Sequence, residues 1–142
     1  MVDLKSKLDE PAVVELIGLA VFPEPEHVER AVQMYMQDER LELLGYEEEG
    51  TIIGVIGFHD DLGEIELKHI AVIPEERGKG YGRGMLMELI KLKDPKVIVA
   101  ETDEDAVDFY RGSGFTVESL GEKYPGAERF KCTYITDLDD AE

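Results

Sequence analysis

"VIPEERGKGYGRGMLMELI", from Val72 to Ile90, sets glycine at positions 78, 80, 82 and 84 around Arg77 and Arg83, then turns into an apolar segment. Glycine inside a regular element costs about 1 kcal/mol relative to alanine. Four of them together mark a place where bare backbone is needed. The stretch joins a candidate strand, "EIELKHIAVI" (64–73), to a candidate helix from Gly82 to about Lys93 carrying Met85, Leu86, Leu89 and Ile90 on one face. At such a strand-to-helix turn, free backbone N–H groups and the helix dipole hold anions, phosphate above all, and glycine lets the backbone approach. Between Arg77 and Lys96 stand six cations and two acids, a window of +4 in a chain of -18. A solvated basic helix face carries the same charge, so charge alone leaves both readings open. Two phosphate templates fail. A Walker loop needs its second glycine, with Lys and then Ser or Thr after it, five residues beyond Gly78, where this chain has Arg83, and the dinucleotide fingerprint needs a glycine where it has Arg83 or Met85.

Working outward, 142 residues is the length of one ordinary domain, expected here to run over 1–142 with a frayed tail at 136–142. Thirty-three acidic residues against fifteen Lys and Arg argue against nucleic acid or an anionic membrane as partner. A single cysteine, Cys132, forms no internal disulfide, and His27, His59 and His69 are too scattered for a metal site, so the chain reads as metal-free and intracellular. "AVVELIGLAVF" (12–22) is interrupted by Glu15 and is neither a signal peptide nor a spanning helix, which places the protein in the cytoplasm.

The periodicity predicts a first strand in "VDLKSKL" and a helix from Pro11 with Ala12, Val13, Leu16, Ile17 and Ala20 on its core face. After the loop "FPEPE" it predicts a second helix from Pro25 to about Asp38 with Val28, Ala31, Val32, Tyr35 and Met36 inward. "LELLGYEEE" and "TIIGVIGFHD" form a hairpin through Glu49 and Gly50. "KVIVAE" reads as a strand covered on both faces, "DEDAVDFYRG" as a helix, and "FTVESLG" and "RFKCTYI" as a closing hairpin. The order specifies an α/β fold: a single-domain mixed sheet, mostly antiparallel, with a central parallel strand pair and flanking helices.

Arg-x-x-Gly-x-Gly, met by Arg77, Gly80 and Gly82, and "DEDAVDFYRGSGF" (103–115), with Ala106, Phe109, Tyr110, Gly114 and Phe115 in register, together resemble the GNAT superfamily of acetyl-CoA-dependent N-acetyltransferases. The resemblance implies acetyl-CoA as cosubstrate, no metal, and transfer of acetyl to a primary amine by direct attack. It implies that the backbone of Arg77, Gly78, Lys79, Gly80, Tyr81, Gly82 and Arg83 holds the pyrophosphate. Ala71 and Val72 would pair with the pantetheine amides along an open strand edge, and Asp103, Ala106 and Phe109 would line the same path. Tyr110 is the implied acid for the leaving thiolate, against the plainer reading of a half-buried core aromatic. Glu66 is the implied base for the amine, against a solvated surface charge whose neighbour Lys68 would lower its basicity.

Asp103 stands where many members have Asn; a carboxylate cannot donate, and a helix-start cap is the better account of it. His69 has the opposite strand parity to Glu66 unless a bulge intervenes, and reads as packed or on the surface. The acceptor, a small-molecule or peptide amine, would meet the segments Phe22–Glu26 and "GEKYPGAERF" (121–130). The acidic excess suits a cationic acceptor, and solubility explains it as well. A noncatalytic acyl-CoA-binding module is the alternative from another class, and the resemblance also admits a homodimer.

Overall fold

Turn chemistry sets the front half of the sheet. In the computed structural model, which describes residues 1–21 and 24–136, strands β2 (Leu41–Glu48), β3 (Thr51–Asp61) and β4 (Glu64–Val72) form an antiparallel meander. Its connections are two-residue turns with positive φ at both positions, Glu49 and Gly50 (50° and 82°) and Leu62 and Gly63 (53° and 93°). That is the twist-matched hairpin geometry. Phe22, Pro23 and residues 137–142, part of the expected interhelical loop and most of the expected tail, lie outside the described residues.

The first strand is shorter than its apolar pattern suggests. β1 is only Val2–Asp3, because the Asp3 carboxylate accepts the Lys5 amide (3.1 Å) and turns the chain into a helical turn at Lys5–Lys7. Leu4 and Leu8 still reach the core. Helices α1 (Pro11–Gly18) and α2 (Pro25–Gln37) begin at prolines, as expected. Ala12 and Met36, expected inward, are exposed: Ala12 lies in the first turn of α1, about 40° outside the stripe of Val13, Leu16 and Ile17, and Met36 lies about 100° outside that of Ala31 and Tyr35. Ala20 falls in the turn after α1 and is half-buried.

Helix α3 (Tyr81–Lys93) carries the chain to β5 (Val97–Thr102), which pairs parallel with β4 from Glu64↔Val97 to Leu67↔Ala100. Helix α4 covers only Val107–Gly112; Asp103 Oδ1 accepts the amides of Asp105 and Ala106 (3.1 Å each), holding 103–106 as a turn before it. Asp103 thus closes that turn, and α4, expected to be capped by it, starts after Ala106 with no side-chain cap of its own. The closing hairpin is β6 (Thr116–Glu122) and β7 (Glu128–Ile135), with β7 inserted between β5 and β6. The seven-stranded order β1-β2-β3-β4-β5-β7-β6 is the expected mixed sheet with its parallel pair in the middle.

Two cores flank this sheet. Ile56, Phe58, Ile65 and Ile98 pack against α3 and α4 on one face, and Leu41, Leu43 and Val55 pack with α1 and α2 on the other. β5 was expected to be covered on both sides. Ile98 and Ala100 are buried, but Val97 and Val99 only partly, because the α1 and α2 core takes in no β5 residue. No helix among the described residues is long and apolar enough to cross a membrane.

Two glycines of β3 let a helix from each side approach: Gly54 faces Met85 of α3, and Gly57 faces Tyr35 of α2. A methyl group at 57 would lie 1.8 Å from the Tyr35 hydroxyl oxygen. Gly57→Ala is therefore expected to lower stability by about 1–3 kcal/mol, as read by urea unfolding. An unchanged midpoint would show that α2 shifts without cost.

Candidate active site

The ladder between β4 and β5 stops at Leu67↔Ala100, although β4 runs on to Val72 and β5 to Thr102. One extra residue explains where it stops. Opposite β3, Phe58 faces Leu67 while Gly57 faces His69, so Lys68 is a bulge, which bends and twists the strand. Past it the strands part, and a groove of about 1100 Å³ opens between them. The Ile73 amide donates to the Ile53 carbonyl (2.9 Å), so the alternate residues Ile70 and Val72 direct their backbone polar groups away from β3, toward the groove. That is an open strand edge able to pair with an extended amide-bearing ligand.

At the far end of this edge the glycine-rich turn enters α3. Gly78 and Gly80 have φ of 79° and 86°, and a Cβ at either would meet nothing within 4 Å. Their glycines thus serve backbone conformation and leave the surface above them open. The backbone bond from Gly84 to Gly80 (2.9 Å) is the first of α3, and among the described residues no amide from Gly78 to Arg83 donates to a backbone carbonyl. Of these residues Gly78, Gly80, Tyr81, Gly82 and Arg83 line the groove, with the dipole of a 13-residue helix behind them. Gly82 has a packing reason instead, since a Cβ there would lie 2.9 Å from the Phe109 ring of α4. Arg77 folds back so that its Nε donates to the Val72 carbonyl (3.0 Å), and Lys79 pairs with Glu76 (3.0 Å).

The groove lining brings together most of the residues singled out from the sequence: Ala71, Val72, Arg77, Gly78, Gly80, Tyr81, Gly82, Arg83, Asp103, Ala106, Phe109 and Tyr110. Lys79 and Glu66 are not in it. Glu66 lies on the still-paired part of β4, opposite Val99, with its side chain 54% exposed and ion-paired with Lys68. Tyr110 is buried, edge-on to Phe109 and Phe115. Its hydroxyl bonds to no group among the described residues, yet none of their buried polar side-chain atoms lacks a partner, so the oxygen opens to the groove. Burial, with Cys132 nearby, pushes its pKa up to about 12, so it holds its proton at neutral pH.

His69 is the residue that sequence reasoning undervalued. The bulge turns it onto the α1 and α2 face, the face of Glu66, where it lines the groove beside Leu19, Ala20 and Val21. Its Nδ1 lies 2.6 Å from the Tyr35 hydroxyl, and Tyr35 is 0% exposed. Burial, with Lys68 adding, pushes the imidazole down to about 4. A signal was present in the sequence. The apolar positions of β4 switch parity from Ile65 and Leu67 to Ile70 and Val72, as a bulge at Lys68 requires. Arg129 of β7 also lines the groove, tied to Glu101 of β5 (3.1 Å).

Comparison with known proteins gives this architecture its class, that of the acyltransferases. The model of the acetyltransferase (GNAT) family matches residues 6–115, and the chain belongs to that family. Among solved structures, it is similar to the ribosomal-protein-S18-alanine N-acetyltransferase from Escherichia coli, with 20% identity, 92% of this chain and 88% of that one covered, and a TM-score of 0.69. It is also similar to a GNAT family acetyltransferase from Elizabethkingia anophelis with acetyl-CoA bound, with 21% identity, coverages of 86% and 89%, and a TM-score of 0.65. At these identities the likeness is one of fold. A curated relative, UPF0157 protein YqkA of Bacillus subtilis (strain 168), is 29% identical over 105 residues, which make up 71% of this chain and 29% of that protein. The chain thus spans less than a third of that relative's length.

The buried imidazole has a consequence for stability. Its folded pKa lies below the ordinary value near 6.5, so its contribution is complete above that pH and is lost as pH falls toward 4. Relative to His69→Gln, which does not titrate, the protein should lose about 2 kcal/mol between pH 7 and pH 5. Urea unfolding at the two pH values measures the difference, and parallel curves would show that His69 titrates normally.

Proposed function

We propose that the protein is an acetyl-CoA-dependent N-acetyltransferase acting on a primary amine. The observation that carries the reading is the groove itself: an unpaired strand edge that leads from the free amides of Gly78 to Arg83 to the Tyr110 hydroxyl. The edge and the amides fit the two ends of coenzyme A: the backbone of Ile70 and Val72 faces the pantetheine arm, Ala71, expected to pair with it, bonds back to β3 and only lines the path, and the helix start meets the pyrophosphate. Acetyl-CoA supplies an activated acyl group. The protein aligns the acceptor for direct attack: the N–C bond forms, the C–S bond breaks, and Tyr110 gives its proton to the departing sulfur. Its raised pKa makes Tyr110 a protonated donor throughout the neutral range.

The proton lost by the amine goes to Glu66 through water in this reading, because Glu66 shares the acceptor-side face of β4. Its exposure and its ion pair with Lys68 set a modest expected effect. Excess acidic charge over the chain favours a cationic acceptor by long-range attraction. Asp103, engaged with its own backbone, acts by fixing the turn that leads to Ala106 and Phe109.

Three variants test the reading. Gly80→Glu places a side chain and a negative charge at a φ of 86° in front of the amides; it should abolish acetyl-CoA binding in a calorimetric titration while the domain stays folded. Retained affinity would remove the phosphate assignment. Tyr110→Phe should bind acetyl-CoA normally but lose about ten- to a thousandfold in kcat; full activity would leave Tyr110 as a core aromatic. Glu66→Gln should lower the rate most below the amine's own pKa, with acetyl-CoA affinity kept, and an unaltered pH profile would leave Glu66 as a surface charge. Tight acetyl-CoA binding with no transfer to any amine would favour the binding-module alternative.

A further inference from the structure

Tyr35 is fully buried, and among the described residues the one hydrogen-bond partner of its hydroxyl is His69 Nδ1 at 2.6 Å. A buried hydroxyl with one partner donates to it, since otherwise its proton would be unpaired. The phenol stays protonated, as burial raises its pKa well above the ordinary value. His69 Nδ1 is therefore the acceptor, and the neutral imidazole carries its proton on Nε2. Nε2 bonds to no group among the described residues and is not a sealed polar atom, so it opens into the groove that His69 lines. Space for the arrangement exists because residue 57 is glycine.

This N–H sits on the side of the sheet opposite α3. A ligand held by the α3 helix start enters from the α3 face, and a second reactant must approach from the α1 and α2 face, past Leu19 to Val21 and His69. Carboxylates that line the groove are mostly committed: Glu101 to Arg129, Glu76 to Lys79, and Asp103 to its own backbone. What the acceptor side offers is a fixed neutral donor.

Resting on the acetyltransferase reading, we propose that Tyr35 and His69 form a specificity-determining pair in which the His69 Nε2–H donates to an oxygen beside the reacting amine. The acceptor is then an amine with an adjacent carbonyl, such as an α-amino amide or a peptide N-terminus, in preference to a bare alkylamine or polyamine. His69 touches the acceptor, and Tyr35 acts through it as a positioning residue. A proton on Nε2 also means that His69 is not the base for the amine. The neutral ring does not repel an ammonium group arriving nearby.

Two measurements test the pair. Imidazole ¹⁵N shifts of the wild type at pH 7 should report the Nε2–H tautomer for His69, with that bias lost in Tyr35→Phe; an Nδ1–H tautomer would overturn the proposal without touching the acetyltransferase reading. Acetyl transfer to alaninamide and to propylamine, compared at equal free-base concentration, should favour alaninamide in the wild type. In His69→Leu the ratio of kcat/KM for the two amines should fall about 10- to 100-fold, with acetyl-CoA affinity kept, and His69→Gln, which retains an N–H donor, should recover part of it. If His69→Leu does not fold, Tyr35→Phe and His69→Gln carry the comparison. Transfer that continues without preference, or equal losses on both amines, refutes the pair alone. Failure to bind acetyl-CoA or to acetylate either amine removes the acetyltransferase reading and this inference with it.

Discussion

Lys68 is one residue too many for its ladder, and the site follows from that surplus. Up to Leu67, β4 is an ordinary interior strand with neighbours on both sides. The bulge bends it away from β5, and the backbone groups of Ile70 and Val72 are left without a strand to bond. Unpaired polar groups in the middle of a sheet are costly unless water or a ligand meets them. A groove there is the solution that keeps them wet. The same bulge reverses side-chain parity, which takes His69 away from the α3 core and hands it to the α1 and α2 side. One insertion thus creates both the cleft and a polar group aimed into it.

The helices are held at the distances this cleft needs by glycines in positions of contact. Gly54 and Gly57 of β3 accept Met85 and Tyr35 from opposite faces, and Gly82 accepts Phe109 between α3 and α4. Dense packing leaves least room at Gly57, because an added methyl there must displace the buried Tyr35 ring, whereas at 82 it meets the half-buried Phe109 ring and at 54 the end of Met85 and the Ala71 carbonyl. Tyr35 and Tyr110 each bury a large apolar ring and keep one polar atom. That atom meets His69 in the first case and the groove in the second. The same residues that seal the two cores therefore furnish the polar atoms of the groove.

Charge is distributed against the average. A chain of -18 places three of its fifteen Lys and Arg, Arg77, Lys79 and Arg83, around the start of α3 beside the open amides. Arg77 and Lys79 are tethered to Val72 and Glu76. The surrounding negative field discourages anions elsewhere and leaves this helix start as the place where one is stabilised.

Local rules were legible in the chain. Glu49-Gly50 announced a hairpin, Pro11 and Pro25 announced helix starts, and alternating glycines before an amphipathic run announced an open helix start, because turn chemistry and periodicity act within a few residues. Motif spacing assigns Arg77, Gly80, Gly82, Phe109 and Tyr110 to one site, and all five line the groove. Local misreadings, such as Met36 inward or a helix beginning at Asp103, came from a stripe and a cap whose limits depend on neighbours. The parity switch across Lys68 and His69 was visible but could not be distinguished from an irregular surface strand, since a bulge has meaning only against the partner strand that it slips past. The sequence by itself determined the elements, their order and the anion-binding turn. Tertiary structure alone decided that β4 leaves β5 after Leu67, that Glu66 stays outside the groove, and that Tyr35, 34 residues away in the chain, bonds His69. Those outcomes depend on which face a side chain meets across the sheet, and that is settled by packing between elements distant in the chain.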